Sequence, residues 1–481
     1  MTFRTRFLSA LLVLALGAGI FACSGLQIRG EEEAQDVRGT RYARQDSIIF
    51  WYTDEALTNY ISHAAVDFGE LNDIHVIPVL KDREKYLDAV YEASLDAAQM
   101  PDVYLVSHEM LEKAYLSGIA APLSDPRQIL DTAHFSTAAL HAVTYQGVKT
   151  GYPFSFDTSA LLCNMDGLAL WASQKAHYDA THPLVPAVDE EGNAILDEDG
   201  EQAMVEDEIP EDQMDPVLLE ELTAQYAADP IPKSLEDLLL IADSFDPPEG
   251  FEGVMNWDVS DILYNYWVLG GAINVGGETG DNRAQVVIDC EEARSCLQSY
   301  QGLREFFSID AGEVSYASSL QDFLEGKYLF TVGGTDAVEI LKDAREAGEV
   351  TFSYAVAPMP SVSGGLGGRP LSVTTAVAVN GFSEKKDLAE RFAAFLTDGM
   401  SEALYEMAGV PAADLRQEAA GGDLAVFASN YAGSVPLPKM METENLWMQL
   451  EVVFSEVWEG RDVGEELGEL DAYVRTLLGE G

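Results

Sequence analysis

Two acidic side chains, Glu55 and Glu109, follow segments that have the composition of buried strands, and His108 directly precedes Glu109. Carboxylates and imidazoles accept hydrogen bonds, bind metal ions and transfer protons. The segment 108–112 (HEMLE) lacks the second His of the H-E-x-x-H zinc motif, so we expect no metal ion there. These positions favour hydrogen bonding to a polar ligand, and acid–base catalysis by paired carboxylates is the other chemistry open to them.

No sequence motif of a known catalytic centre accompanies these residues. The chain contains no G-x-S-x-G, C-x-x-C or Walker sequence, and the Gly-rich segment 361–369 (SVSGGLGGR) lacks the Gly-Lys-Ser/Thr ending of a phosphate loop. We therefore expect a protein that is not an enzyme and that uses no cofactor.

The chain is strongly acidic. Its 481 residues include 28 Lys and Arg against 82 Asp and Glu, which gives a formal net charge of −54. A surface of this charge repels a phosphate backbone, so nucleic acid is excluded as a partner. Hydrophobic residues make up 47% of the chain, which is enough for a large core, and the length predicts two or three domains.

The amino-terminal residues have the pattern of an exported and membrane-anchored protein. An apolar run at 7–21 follows two Arg residues and is too short to span a bilayer, so residues 1–22 are predicted to be a signal peptide. Residues 20–23 (IFAC) look like a bacterial lipobox, which makes Cys23 the predicted lipid anchor. An ordinary secretory peptide with an incidental Cys is the alternative. Residues 23–46 are charged and lack apolar periodicity, as expected of a flexible tether. We therefore expect the rest of the protein to lie outside the cytoplasm, in the cell envelope.

Strands and helices alternate in the next part of the chain. Apolar and β-branched runs at 47–53, 74–79 and 103–107 predict three strands, and apolar residues spaced by three and four predict a helix after each of the first two. This alternation is typical of a parallel sheet that is covered by helices on both faces. The carboxyl ends of such strands line a ligand crevice, so the acidic residues and the imidazole named above are expected at its edge.

The middle of the chain departs from this pattern. The segment 186–216 is rich in Asp and Glu, and we expect an exposed acidic hairpin or a flexible insertion there. Calcium binding through Asp197 and Asp199 is the alternative. The residues 232–237 (PKSLED) predict the start of a helix, and the apolar run 371–379 predicts a strand that returns to the first sheet.

The order of these segments resembles the extracellular solute-binding lipoproteins of ABC importers, and within them the maltose-binding and other sugar-binding members. The resemblance extends over about residues 47–478. The segments that carry it are 48–51 (IIFW), 101–103 (PDV), 117–118 (SG), 151–153 (GYP), 162–164 (LCN), 232–237 (PKSLED), 323–327 (FLEGK), 435–436 (VP), Trp447 and 458–460 (WEG). It implies an α/β fold of the periplasmic-binding-protein type, in which two lobes are joined by hinge crossovers and close on a ligand.

The resemblance also implies where each lobe lies in the chain. The N-terminal lobe is expected to contain residues 47–155 and 357–418. The C-terminal lobe is expected to contain residues 156–356 and 419–478, with the acidic insertion 186–216 inside it.

Ligand-binding residues can be carried over from the family at several positions. Glu55, Glu109 and Asp157 match carboxylates that accept hydrogen bonds from sugar hydroxyls, and we place His108 in the same site. Trp447 matches a ring that stacks on a sugar face. The alternative for Glu55, Glu109 and Asp157 is that they are solvated surface groups. The alternative for Trp447 is that it is a core residue of its helix.

The chain departs from the maltose-binding members at two stacking positions. Val106 and Asp336 stand where those members have Trp, which argues against maltodextrin itself as the ligand. Trp257 and Tyr264 are predicted to supply replacement rings from the other lobe. Asp336 is expected either to contact the ligand or to cap a helix.

We therefore expect a monomeric, lipid-anchored binding protein that captures a sugar or oligosaccharide and delivers it to the membrane permease of an ABC transporter. Two alternatives from other classes are a secreted carbohydrate-active enzyme and a ligand-sensing lobe for a membrane receptor.

Overall fold

The computed structural model describes residues 47–189, 193–197, 200–362, 366–419 and 421–479. The predicted signal peptide, the predicted lipid anchor Cys23 and the tether lie outside these residues, as does Asp199. Two α/β lobes form the described part of the chain, and each is built on one mixed β-sheet.

The strands are β1 (Ser47–Tyr52), β2 (His75–Leu80), β3 (Val103–Ser107), β4 (Thr144–Tyr145), β5 (Val148–Lys149), β6 (Tyr152–Thr158), β7 (Ala160–Asn164), β8 (Leu184–Pro186), β9 (Met204–Glu206), β10 (Gly253–Met255), β11 (Asn274–Val275), β12 (Val286–Val287), β13 (Tyr328–Gly333), β14 (Tyr354–Ala357), β15 (Leu371–Val379) and β16 (Val435–Pro436).

The α-helices are α1 (Thr58–Asn72), α2 (Tyr86–Ser94), α3 (Leu111–Leu116), α4 (Thr137–Ala142), α5 (Met165–Thr181), α6 (Pro216–Ala228), α7 (Leu235–Ser244), α8 (Ile262–Asn265), α9 (Glu291–Gly302), α10 (Tyr316–Leu324), α11 (Ala337–Ala347), α12 (Lys386–Ala394), α13 (Ser401–Ala408), α14 (Arg416–Ala419), α15 (Asp423–Gly433), α16 (Leu446–Trp458) and α17 (Val463–Leu477). Short 3₁₀ turns lie at Glu55–Leu57, His108–Met110, Glu211–Gln213, Tyr266–Val268, Leu303–Glu305 and Met441–Thr443, and a π-helical turn at Phe395–Gly399 follows α12.

The first lobe is built on a six-stranded sheet in the order β16-β15-β3-β1-β2, with β6 also paired to β15. β1 is parallel to both β2 and β3, as the alternating pattern predicts. β15 is antiparallel to β3, with Thr375 opposite Ser107 and Val379 opposite Val103. The predicted return of the run 371–379 to the first sheet is therefore confirmed.

The second lobe is built on a four-stranded sheet in the order β10-β13-β7-β14. The chain enters it between β6 and β7, at the buried Ser159, and returns to the first sheet between β14 and β15. It crosses a third time after β16, since α16 packs in the core of the second lobe. The boundary expected at 155/156 falls inside β6, and β16 pairs with the first sheet although it lies in the range expected for the second lobe.

Local sequence accounts for the start of α7. Ser234 Oγ accepts a hydrogen bond from the backbone N–H of Asp237, and the Asp237 side chain accepts one from the N–H of Ser234. Such reciprocal caps satisfy N–H groups that have no partner inside the helix. The helix start predicted at 232–237 is confirmed.

The acidic segment contains a narrow hairpin. β8 pairs with β9, and isolated bridges join Val188 to Ala194 and Leu196 to Gln202. The carboxylates of Asp189 and Asp197 each accept a hydrogen bond from the backbone N–H four residues later, at 2.8 and 2.9 Å. These acids therefore stabilise the turns of the hairpin. Within the described residues, no group of three or more His, Cys, Asp or Glu side chains is arranged to hold a metal ion.

Large aromatic side chains fill the core of the second lobe. Trp257, Trp267 and Trp458 are buried there. The free thiols of Cys163 and Cys296 are also buried, whereas Cys290 is half-buried just before α9. Across the described ranges, no helix is both long enough and apolar enough to cross a membrane.

Candidate functional site

A cleft of about 920 Å³ lies between the two lobes. The first lobe contributes the residues that follow β1 and β3, together with part of β6. The second side is formed by residues from α8, from the loop after β13 and from the start of α16. Residues that line the cleft include Asp54, Arg83, Lys85, Val106, Ser107, Glu109, Met110, Lys113, Asp157, Leu263, Thr335, Asp336, Glu444 and Trp447. The ends of two parallel strands thus meet at the cleft, as expected for an open α/β sheet.

Glu109 lies in the 3₁₀ turn directly after β3, and 26% of its side chain is exposed. Its carboxylate accepts a hydrogen bond from Ser107 Oγ. Burial raises the pKa of Glu109, and the Ser107 hydrogen bond acts in the opposite direction. Lys113, the nearest cation along the chain on this wall, pairs with Asp88 at 3.4 Å. Glu109 therefore presents a partly desolvated hydrogen-bond acceptor to the cleft.

His108 is fully buried beneath the cleft and does not line it. The backbone N–H of Thr374 donates to Nδ1 at 3.0 Å, so Nε2 carries the proton and donates to the carbonyl oxygen of Leu437 at 2.9 Å. Burial and the nearby Lys439 lower the pKa of His108 to about 3, so the ring is neutral. The expected ligand contact is wrong for this residue, because both ring nitrogens are used in joining β3 to β15 and to the segment after β16.

Asp157 and Asp336 approach each other from opposite lobes. Thr335 donates to Asp157 Oδ1 from its backbone N–H at 3.2 Å and from its hydroxyl at 2.7 Å. The pKa of Asp157 is raised, chiefly by burial and also by the charge of Asp336. Asp336 is exposed and accepts a hydrogen bond from Tyr316 Oη at 2.7 Å. Its side chain makes no cap hydrogen bond to α11, so the structure supports the cleft-facing reading of the two expected for this residue.

Trp447 lies in the first turn of α16 and is half-buried. Its Nε1 donates to Glu451 Oε1 at 2.6 Å, which fixes the ring against the helix. One part of the ring packs on the core of the second lobe and another part lines the cleft. The ring thus contacts the core and is also accessible from the cleft, and its stacking on a ligand stays a prediction.

Three expected site residues lie elsewhere. Glu55 is exposed in the turn after β1, where its neighbour Asp54 lines the cleft instead. Trp257 is completely buried and donates from Nε1 to Asn265 Oδ1 at 2.9 Å, so it is a core residue. Tyr264 does not line the cleft. It stacks on Tyr316 with ring centroids 4.5 Å apart, behind Asp336.

Sequence reasoning missed the cations of the first wall. Arg83 and Lys85 line the cleft, and Arg83 lies 3.5 Å from the carboxylate of Asp54. Lys85 has a positive φ of 54° immediately before α2. The polar segment 81–85 predicts a turn. The sequence does not show that this turn packs against the end of β1, because that contact depends on the pairing of β1 with β2.

A second polar cluster joins the lobes outside the cleft. Glu112, fully buried on α3, accepts hydrogen bonds from Tyr145 Oη at 2.9 Å, from Arg283 at 2.8 Å and from the backbone N–H of Met441 at 2.6 Å. Arg283 also forms two hydrogen bonds of 2.8 Å with Glu442. We call these five residues the lobe bridge.

Arg283 lies in the loop between β11 and β12. This loop also contacts the turn between β4 and β5 and the segment after β16. Asp281 accepts from the backbone N–H of Gln146 at 2.6 Å. Gly280 accepts from the backbone N–H of Lys439 at 2.7 Å, and a Cβ at this glycine would lie 2.9 Å from the Cα of Pro438. This close approach requires glycine, which also tolerates the φ of 67° found here.

Comparison with known proteins supports the predicted fold. Residues 212–398 match the family model described as bacterial extracellular solute-binding protein. A cyclo/maltodextrin-binding protein complexed with maltotetraose superposes with a TM-score of 0.68 at 15% identity, over 90% of this chain and 97% of that one. No curated protein matches the chain.

Two further solved structures have the same fold. The extracellular solute-binding protein of Staphylococcus aureus in complex with maltose has a TM-score of 0.67 at 15% identity, and covers 90% of this chain and 97% of its own. The maltose-binding periplasmic protein of Listeria monocytogenes in complex with maltose has a TM-score of 0.66 at 17% identity, and the match covers 91% of this chain and 99% of that one. The two-lobe α/β fold and the resemblance to bacterial extracellular solute-binding proteins are confirmed.

Proposed function

We propose that this protein is the extracellular, lipid-anchored binding component of an ABC importer, and that it captures a sugar or oligosaccharide in the cleft between its lobes. One observation carries the proposal: the cleft combines half-buried carboxylates of the first lobe, an exposed carboxylate of the second lobe and a partly exposed Trp. Carboxylates accept hydrogen bonds from vicinal hydroxyls, and an indole ring packs on the apolar face of a sugar ring.

The position of the acids supports capture by closure of the lobes. Glu109 belongs to the first lobe, Asp336 belongs to the second, and Asp157 already contacts Thr335 across the cleft. A ligand that bonds to acids of both lobes gains more contacts in the closed state than in the open state. It therefore shifts the population towards the closed state.

The proposed binding function involves no catalysis. The test is direct: purified protein is incubated with glucose, maltose, cellobiose, xylobiose and their longer oligomers, and product formation and binding are measured in parallel. We expect saturable binding by titration calorimetry and unchanged oligomers by chromatography. Shortened oligomers would instead support a carbohydrate-active enzyme.

A thermal-shift screen over the same sugars identifies the ligand class. A ligand that binds only the folded protein, present at 100 times its Kd, adds about 2.7 kcal/mol to stability. Maltodextrins are included because the related structures hold them, and the other oligomers are included because Val106 replaces a stacking ring.

The lipid anchor and the delivery step need separate tests. Cys23→Ala should release the protein from membranes into the soluble fraction, and mass spectrometry of the wild type should show acyl chains on Cys23. Delivery to an importer is tested by uptake of the identified sugar in cells that lack this protein, with and without the gene restored. Normal binding with no effect on uptake would favour a sensing lobe for a membrane receptor.

A further inference from the structure

A smaller cavity of about 220 Å³ opens from the cleft beside Trp447. Its mouth is shared with the cleft, because five of its ten lining residues also line the larger space. These are Glu109, Met110, Lys113, Glu444 and Trp447. The other lining residues come from the segment after β16. They are Leu437, Pro438, Met440, Met441 and Thr443.

The lining of this side cavity is mainly apolar. Three Met side chains, one Leu and one Pro form most of it, and Leu437, Pro438 and Met440 are buried. Charged groups occur only among the residues shared with the cleft, at the mouth. Thioether side chains are flexible and polarisable, so they adapt to an apolar group of irregular shape.

The polar atoms of the inner wall are already used elsewhere. The Leu437 carbonyl accepts from His108, and its N–H donates to Ser372. The Met440 carbonyl accepts from both the N–H and the hydroxyl of Thr443, at 2.9 and 2.7 Å.

The N–H of Met441 donates to the buried carboxylate of Glu112 at 2.6 Å. The inner wall therefore has few hydrogen bonds to give to water or to a sugar hydroxyl. A buried water is stable only where two to four polar partners surround it.

From this lining, we infer that the ligand of the cleft is a carbohydrate that carries an apolar substituent, and that the side cavity binds this substituent. The inference rests on the function proposed above. Size is consistent with it, because an apolar cavity of roughly 150 Å³ is enough to hold a benzene molecule. An alkyl or aryl group attached to the sugar ring beside Trp447 reaches the cavity through the shared mouth.

Matched glycosides test the inference. Methyl and phenyl glycosides of glucose, maltose and cellobiose are titrated against the wild-type protein by calorimetry. Each buried methylene group improves binding roughly fourfold, so we expect the phenyl glycoside to bind at least about tenfold more tightly than the methyl glycoside of the same sugar.

Variants of the cavity wall show whether the phenyl group binds in the side cavity. Met110→Gln and Met441→Gln place a polar amide in the cavity wall and should each reduce the phenyl-to-methyl ratio to below about threefold. Met441 is 46% exposed, so its replacement is compatible with folding. Met448→Gln is the matched control, because Met448 is 56% exposed on α16 and lines neither cavity.

The outcomes separate the two proposals. Equal affinity for methyl and phenyl glycosides overturns the inference and leaves the proposed function intact. A preference for phenyl that both Met variants retain also overturns it, because the substituent then binds elsewhere. If no glycoside and no free sugar binds, the proposed function fails, and the inference fails with it.

Discussion

Glu109 and Glu112 lie three residues apart on consecutive helical turns, yet their environments are opposite. Glu109 faces the cleft with 26% of its side chain exposed, and burial raises its pKa. Glu112 has no exposed surface and accepts three hydrogen bonds, one of them from Arg283. The cleft thus holds acids with few hydrogen-bond donors around them, and the lobe bridge holds an acid that already accepts three hydrogen bonds, one of them from a cation.

This difference shows how one acidic chain can use the same residue type for two purposes. A buried charge is tolerated when a cation and further donors surround it, and the group then holds the surrounding elements in place. A half-buried acid that lacks such partners keeps acceptor sites for an incoming hydroxyl. The lobe bridge should therefore affect stability, and the cleft should affect ligand binding.

The largest effect is expected in the lobe bridge. Glu112→Gln removes the charge that faces Arg283 and leaves the N–H of Met441 poorly paired. Breaking a buried ion pair costs about 3 kcal/mol, the low end of the usual range because Arg283 is 37% exposed. Urea unfolding of the apo protein measures this loss. Glu402→Gln, at a site 81% exposed, is the control, and a loss equal to that of the control would contradict a holding role for Glu112.

The next effect is expected at the aromatic part of the cleft. Trp447→Ala should weaken binding of the sugar identified in the screen by about 2 to 3 kcal/mol, because stacking contacts of this kind are often the strongest in a binding site. Titration calorimetry gives the affinity. Phe382→Ala is the control for loss of an aromatic ring, because Phe382 is exposed and does not line the cleft. A lower apo melting temperature with unchanged affinity would show that this residue serves only the core.

A smaller loss is expected at Asp157. Asp157→Asn keeps an oxygen that can accept from Thr335 but removes the charge, so sugar binding should weaken by about 1.5 kcal/mol. Apo stability should stay the same or rise, because the substitution removes a carboxylate whose pKa is raised by burial. The pair of measurements is calorimetry with ligand and urea unfolding without it. Reduced stability with normal affinity would show that Asp157 stabilises the fold, as Glu112 does, and does not contact the ligand.

Two pH effects of opposite sign should distinguish the regions. The pKa of Asp261, near the cleft acids, is raised from 3.8 to about 6, chiefly by burial and also by the charges of Asp258, Glu451 and Asp157. The folded protein then holds this proton more tightly than the unfolded chain, so this group makes stability fall as pH rises from about 4 to about 6. Asp261→Asn, which can still cap α8, should flatten that slope in apo melting curves. An unchanged slope would remove Asp261 as its cause.

Lys439, beside the lobe bridge, should act in the alkaline range. Its pKa is lowered from 10.5 to about 7, chiefly by burial and also by the charge of Lys149, while the charges of Asp281 and Glu112 oppose the shift. The unfolded chain binds this proton more tightly, so the contribution of Lys439 to stability increases as pH rises from about 7 to about 10. Lys439→Met should abolish that increase in urea unfolding at pH 7, 8.5 and 10. The same increase in the variant would assign it to another group.

The sequence predicted the fold better than the site. Alternating runs predicted β1, β2 and β3 to within one residue, and the apolar run at 371–379 predicted β15. β1, β3 and β15 are buried along most of their length, which leaves a continuous apolar segment, whereas β2 contains only exposed and half-buried residues. The sequence does not show which of two adjacent acidic residues lines the cleft. A one-residue difference in the turn after β1 decides that Asp54, rather than Glu55, lines the cleft.

The remaining differences come from contacts between distant parts of the chain. Trp257 has the residue type of a stacking platform, but Asn265, Phe307 and Trp458 surround it in the core. The lobe bridge joins Glu112 to Arg283 across 171 positions. No periodicity or motif marks such a pair, since the contact depends on how the loop between β11 and β12 packs on the first lobe.

The position of β15 in the first sheet sets the order in which the lobes can be completed during synthesis. β15 supplies residues 371–379 to the antiparallel edge of β3, whose own residues are made more than 260 positions earlier. A chain that emerges from its amino end therefore exposes an unpaired, apolar strand edge until most of the protein has been delivered. Pairing across such a separation is slow and leaves the intermediate prone to aggregation. We therefore expect that a truncated chain ending before residue 371 does not fold as an independent first lobe, and that productive folding depends on keeping the nascent chain unfolded until its carboxyl-terminal part arrives.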